Sequence, residues 1–349
     1  MATLLDAYRN LDNSVWDYYD AFRQPGHLRG PFAADLNSIH THQDFIRRYY
    51  RLSGKEEMLQ QFGDNMLYDE RSFHTNSVFF LGLLIRENTI LKTHLLNAKK
   101  SKLNYPLFPF LWFISILFHD FAMKIEDNSG DFPMLRDLDG LKAYYSIDHD
   151  ILRQAPAGTD VELYNLISHY FSHRSLNGKV DHGILAGIYL YDRLVKIRRE
   201  KSRRPNQELS WHHSLEKRYA QAAAAVACHN MWTLPSGHEN VPSYTASGLG
   251  YLVQPSFNEI SVKNFPLLYL FGITDTIDPI KLYMRDGYNV EDILSNITIS
   301  FTKKKMRLEN ALGSPLDFSK LVQKSVGLKG WMAVEVENGP EWVTISFKK

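Results

Sequence analysis

The stretch "FISILFHDFAMK", residues 113–124, runs strongly apolar into His119 and Asp120, and the apolar pattern resumes at Phe121. Burying a carboxylate beside an imidazole costs on the order of several kcal/mol unless each group finds a partner. A metal ion is the least costly partner, because neutral imidazole and carboxylate are both good ligands and the ion's charge offsets the buried carboxylate. A metal site needs more than two ligands, and four further residues share this context. His74 follows "RSF", His182 opens "HGILAG", His229 lies in "AVACHN", and Asp275 sits in "LFGITDTIDP" one turn before a helix end. Each is a ligand type set in an apolar, helical stretch. His212 and His213 of "WHH" compete with His229 for the same role.

Other residues around these are weaker candidates. Lys124, one turn beyond the His-Asp pair, suits a phosphate group, while Asn230 and Asp278 suit substrate contact or support of a ligand. Asp181 either orients His182 or caps the helix that follows it. His169 and His173 stand at i, i+4 on one helix face, a spacing able to clamp a metal, but "ISHYFSHRS" brings no carboxylate with them. A helix-end role is the first reading there and substrate contact the second. Cys228 adjoins His229, yet neighbours on a helix point about 100° apart, which argues against a Cys-His nucleophile pair. The basic run "KIRREKSRRP" reads as a solvated helix end able to guide an anionic substrate.

The elements that must position these groups are mostly helical up to about residue 285. "DERSFHTNSVFFLGLLIREN" (69–88) carries a broad apolar stripe, and Pro106 and Pro109 stand where the next helix begins, running to about Lys124. Residues 160–173 read as one helix, Asp181 opens another, and "SLEKRYAQAAAAVACHNMW" is alanine-rich and strongly helical. Residues 125–159 and 233–262 are rich in Gly, Pro, Ser, Asn and Asp and read as long loops near a site. Beyond about residue 290 the texture alternates: "NITISFTKKKMRL" and "WMAVEVENGPEWVTISF" predict strands with "NGP" as a turn, and "SPLDFSKLVQKSV" a helix between them.

Composition sets the outer limits. The chain has 349 residues, 44% of them hydrophobic, and a net charge of +1. That charge gives no global footprint for nucleic acid or membrane. Cys228 is the single cysteine, which excludes an intramolecular disulfide and fits a reducing cytosol. The acidic, aromatic N-terminus is no signal peptide, and "YPLFPFLWFISILF" is too short for a membrane span. A cytoplasmic protein is expected.

Read in order, the ligand candidates are His, His-Asp, His, His, Asp. This order, carried by "RSFHT", "LFHDFAMK", "VDHG", "CHN" and "TDTIDP" across roughly residues 65–285, resembles the HD superfamily of metal-dependent phosphohydrolases, and most closely its dinuclear subset. The resemblance implies an HD-type helical bundle over 65–285 in a mainly α fold; an N-terminal helical extension (1–64) and a small C-terminal α/β appendage (286–349) flank it and lie outside the resemblance. It implies that His74, His119, Asp120 and Asp275 hold one divalent ion, and that Asp120 bridges to a second held by His182 and His229. Mixed nitrogen and oxygen ligation suits Mn, Fe, Co, Ni or Zn. The implied activity is hydrolysis of a nucleotide phosphoester, whether monoester, diester or polyphosphate, by a metal-bound hydroxide. Two other readings follow from the same order: a di-iron oxygenase, or a degenerate nucleotide-sensing module. The Gly-Tyr-Pro signature of one phosphodiesterase branch is absent, and long insertions at 125–160 and 197–213 separate the ligands.

Overall fold

A computed structural model describes residues 2–16, 29–52, 55, 57–58, 71–95, 107–203 and 211–348. Pro106, much of the 1–64 extension and residues 204–210 of the basic loop lie outside the described residues. The fold is mainly helical with a small antiparallel sheet near the C-terminus. No helix among the described residues is long and apolar enough to cross a membrane. The chain divides into two compact units, one within residues 1–113 and 270–349, the other within 114–207 and 211–269.

In the first unit the sheet runs β1 (Ala2–Thr3), β2 (Ile297–Phe301), β3 (Lys305–Asn310), β5 (Trp342–Phe347), β4 (Val334–Gly339), every neighbour antiparallel. Alternation puts Ile297, Met306, Leu308, Val343 and Ile345 on the buried face. The helix Ser319–Val326 packs on that sheet, with Leu321 and Ser325 buried. The C-terminal strands and helix follow the sequence pattern, but β1 does not. Thr3 pairs with Thr298 and Ala2 with Ile299, so a strand from the expected helical extension completes the sheet. Backbone pairing thus ties residues 2–3 to the C-terminal strands.

The helix Arg71–Asn88 is buried along most of its length. It sits in an aromatic cluster with Trp16, Phe32, Phe45 and Tyr49. Gly82 is required there, since a Cβ would come within 2.1 Å of the Trp112 ring.

In the second unit the dominant pair is His182–Lys201 against Ser214–Cys228. Glycine on one helix faces alanine on the other. A Cβ at Gly187 would lie 2.6 Å from the Ala223 carbonyl oxygen and 2.7 Å from the Ala227 Cβ, so the close approach depends on there being none. Asp181 caps the first of these helices by accepting from Ile184 N at 2.9 Å.

Three sequence expectations are corrected. The apolar helix ends at Ile116 rather than near Lys124, and His119 and Asp120 lie in the turn that follows. Residues 160–173 form two helices, Val161–Asn165 and Ile167–Leu176. The stretches 125–159 and 233–262 hold short helical segments in place of long loops. Asp137 and Asp150 cap two of them through side-chain oxygens, so residues that read as loop formers are helix starts.

Candidate metal centre

The second unit brings Asp120, His182 and His229 together, with one ligand atom from each lying within 4.8 Å of the others. His119 joins them: its Nε2 is 3.4 Å from Asp120 Oδ1, and its ring meets that of His229 edge-on, centroids 5.5 Å apart. The local folding of each histidine has a reason. The helix Leu107–Ile116 ends with unsatisfied carbonyls, and His119 Nδ1 donates to that of Ile116 at 2.6 Å. His229 caps the helix Ser214–Cys228 in the same way, its Nδ1 donating to Val226 O at 2.6 Å. Phe118 and Phe121, which flank the His-Asp pair, stack on Tyr189 with centroids 6.4 and 5.4 Å away and pin the turn to the helix His182–Lys201.

His182 is fixed by Glu126, on the short helix Met123–Asp127. One Glu126 oxygen accepts from His182 Nδ1 and, at 3.1 Å, from the His182 backbone N–H. The other accepts from Arg174, whose Nε also lies 3.5 Å from Asp181 Oδ2. Burial works against charge on Glu126, but His182 and Arg174 outweigh it and hold the carboxyl down to about 2. Burial likewise opposes charge on His182, and Glu126, Asp181 and Asp120 overcome it, raising the imidazole.

The tautomers follow from these partners. A carbonyl or carboxylate oxygen has no proton to give, so Nδ1 is the protonated nitrogen in His119, His182 and His229. Each lone pair therefore sits on Nε2. His182 Nε2 and His229 Nε2 face each other at 3.2 Å, and His182 Nε2 is 3.8 Å from Asp120 Oδ1. Acceptors converging on one point need a cation among them, either a proton or a metal ion. The residues present fit a metal: imidazoles oriented through Nδ1 by oxygen acceptors, with a carboxylate alongside, are how metal-binding histidines are normally held.

In the first unit His74 lies between two carboxylates. Its Nδ1 is 2.8 Å from Asp278 and its Nε2 is 3.0 Å from Asp275 Oδ1. Burial disfavours charge on His74, yet Asp275 and Asp278 outweigh it and raise the imidazole to about 9. A field that retains a proton so firmly also attracts a divalent ion. Lys281 Nζ stands 2.9 and 3.1 Å from the two oxygens of Asp275 and balances them in this structure.

The weaker sequence candidates take other places. Asp278 is fully buried behind His74 and caps Pro279–Tyr283 by accepting from Lys281 N at 3.0 Å, which makes it a support for a ligand. The amide of Asn230 donates to Asp181 at 3.1 Å. His173 is bonded through Nδ1 to Ser247 at 2.9 Å, and His169, exposed, lies against Gly248. Lys124 is exposed on the helix that carries Glu126. His212 and His213 are exposed, their rings tilted against each other with centroids 4.0 Å apart, His212 also bonding Ser214 at 2.9 Å, while it is His229 that joins Asp120 and His182.

Sequence reasoning missed Glu126, Arg174 and Gly183. Glu126 had a local signal, an acid about two helical turns after His119 in "HDFAMKIE". Gly183 had one too, since "GILAG" opposite an alanine run marks a close helix crossing. A Cβ at Gly183 would lie 2.9 Å from the His229 ring. Compared with family models, characterised proteins and solved structures, the chain gives no match.

Proposed function

We propose that the chain is a metal-dependent phosphohydrolase that cleaves a nucleotide phosphoester at a dinuclear centre. The observation that supports it most is the shared orientation of His119, His182 and His229, each held through Nδ1, so that the Nε2 atoms of His119 and His182 turn toward Asp120 and that of His229 toward His182. On this reading Asp120, His182 and His229 hold one ion. The resemblance in ligand order assigns His74, His119 and Asp275 to the other, with Asp120 shared between them.

When bound, two divalent ions would supply a water acidified toward neutral pH and would neutralise charge on the phosphoryl oxygens. The chain's own residues do the rest. Glu126, secured by Arg174, keeps the His182 Nδ1 proton in place, and the Ile116 and Val226 carbonyls do the same for His119 and His229. Asp278 performs that service for His74. Lys124, exposed on the Glu126 helix, is the proposed contact for a substrate phosphate. In the reaction the oxygen of water bonds to phosphorus, the ester P–O bond breaks, and the leaving alcohol carries a proton obtained through solvent.

The test is metal analysis of protein purified without chelators, followed by a nucleotide panel in water labelled with heavy oxygen. Two transition-metal ions per chain and one label on the phosphate product are expected, with activity lost on chelation. A metal-loaded protein that leaves every nucleotide intact refutes the hydrolase reading, and oxygen consumption with an alcohol or phosphonate substrate would replace it with the oxygenase.

A further inference from the structure

His74 is held from behind by a chain of hydroxyls that ends on the N-terminal helix. His74 and Ser77 are three residues apart on Arg71–Asn88 and share a face. Ser77 Oγ donates to Asp278 Oδ1, whose other oxygen receives His74 Nδ1 at 2.8 Å. Tyr8 of the helix Leu4–Arg9 completes the chain, its hydroxyl 3.0 Å from Ser77 Oγ and 3.1 Å from the Ser77 carbonyl.

The bonds to Asp278 have fixed directions, and the single Tyr8 proton is shared between Ser77 Oγ and the Ser77 carbonyl. Asp278 receives donors on both oxygens: Ser77 on one, His74 Nδ1 and the Lys281 backbone N–H on the other. The Ser77 proton therefore points at Asp278, which leaves its oxygen lone pairs for the Tyr8 hydroxyl. Burial pushes the Tyr8 hydroxyl well above its ordinary range and keeps it a donor. The Tyr8 O–H holds Ser77 through its Oγ and carbonyl, the Ser77 O–H reaches Asp278, and His74 Nδ1–H arrives from the other side. His74 Nε2 is thereby turned to Asp275 at 3.0 Å.

Nothing in this chain is loosely placed. Ser77 and Asp278 are fully buried, and Asp278 is anchored as a helix cap followed by Pro279. Tyr8 is wedged against Phe32, with ring centroids 4.7 Å apart, and Phe80, at 6.0 Å. Thr3, which caps its helix, belongs to β1 and pairs with β2.

We propose that Ser77 and Tyr8 are positioning residues for the His74 ligand, a hydrogen-bonded relay by which the N-terminal helix sets the tautomer and aim of that imidazole. The inference rests on the metal-centre reading above, and its test separates the two. Ser77→Ala and Tyr8→Phe are titrated with Co(II), followed by calorimetry and visible absorption, with circular dichroism melts as a check on folding.

In the folded Ser77→Ala protein one of two Co(II) ions should bind roughly 10–100-fold more weakly while the other is unchanged, the scale found for groups that orient a metal-bound histidine. Tyr8→Phe, which keeps the ring packing, should shift the same ion in the same direction by less. Variants that bind both ions with wild-type affinity overturn the relay, as does equal weakening of both ions alongside a lowered melting temperature. Should Ser77→Ala fail to fold, Tyr8→Phe decides alone. Wild-type protein that takes up no Co(II) overturns the metal centre itself, and the relay with it.

Discussion

Replacing Gly183 by alanine is the most direct probe of how the His182–His229 pair is assembled. The new Cβ would meet His229 Cε1 and Nδ1 at 2.9 Å and the Val226 carbonyl oxygen at 3.1 Å. Alanine inside a helix gains about 1 kcal/mol over glycine. Overpacking costs about 1–3 kcal/mol, so the net loss for Gly183→Ala is roughly 0–2 kcal/mol. The ring has little room to yield, because its Nδ1 is bonded to Val226 O at 2.6 Å and its Nε2 faces His182 at 3.2 Å. Stability should therefore change little while metal affinity falls, by roughly 10–100-fold for one ion. Gly187→Ala sets the contrast. Its Cβ meets backbone, the Ala223 oxygen at 2.6 Å and the Ala227 nitrogen at 2.8 Å, so the helices themselves must part and the loss falls at the upper end of the range. Thermal unfolding with and without saturating Co(II) reads both terms. A hundredfold loss of affinity removes about 2.7 kcal/mol of metal-induced stabilisation. The reasoning is refuted if Gly183→Ala keeps the full metal-induced shift, or if Gly187→Ala simply shows the alanine gain.

Asp120→Ala should lose both ions and all turnover while its fold persists, since the carboxylate serves both in the proposed centre; two ions retained per chain, by metal analysis, would exclude the shared role. Glu126 titrates low in the folded state, at about 2 against an ordinary 4.5, so its contribution is complete above the unfolded value and drains as pH falls from about 4.5 toward 2. Glu126→Gln should flatten that part of the acid-stability curve, measured by circular dichroism on metal-free protein; an unchanged curve would show that the pairing with His182 and Arg174 adds nothing. Burial pushes the Cys228 thiol far above its usual range. A thiol reagent at pH 8 should therefore label the native protein very slowly and the unfolded protein at once, and rapid native labelling would contradict the burial.

The ligand types were readable from sequence because a buried polar group stands out against an apolar background. His119–Asp120 after "FISILF", and His229 after an alanine run, announce themselves this way. Helix content and the C-terminal strands were readable from periodicity. Which ligand each supporting residue holds was not, because the partners lie far apart along the chain. Glu126 meets His182 across 56 positions, Asp278 meets His74 across 204, and Tyr8 meets Ser77 across 69. Local pattern carries no record of such pairings. The helix ends were misplaced for a related reason: at His119 and His229 the imidazole itself takes the carbonyl three residues back, so the termini are set by the same side chains that form the candidate site.

The pairing of β1 with β2 also sets an order of events during synthesis. Thr3 is made well before Thr298, its partner, and must wait for it for roughly 15–60 s at about 5–20 residues per second. Residues 114–269, which include Asp120, His182 and His229, are all made within that wait. The His74 environment is finished last, because Asp275 and Asp278 follow residue 269 and the strand that fixes the helix of Tyr8 follows them. One set of histidines can therefore be furnished while translation continues. The other is completed only when β2 has paired with β1.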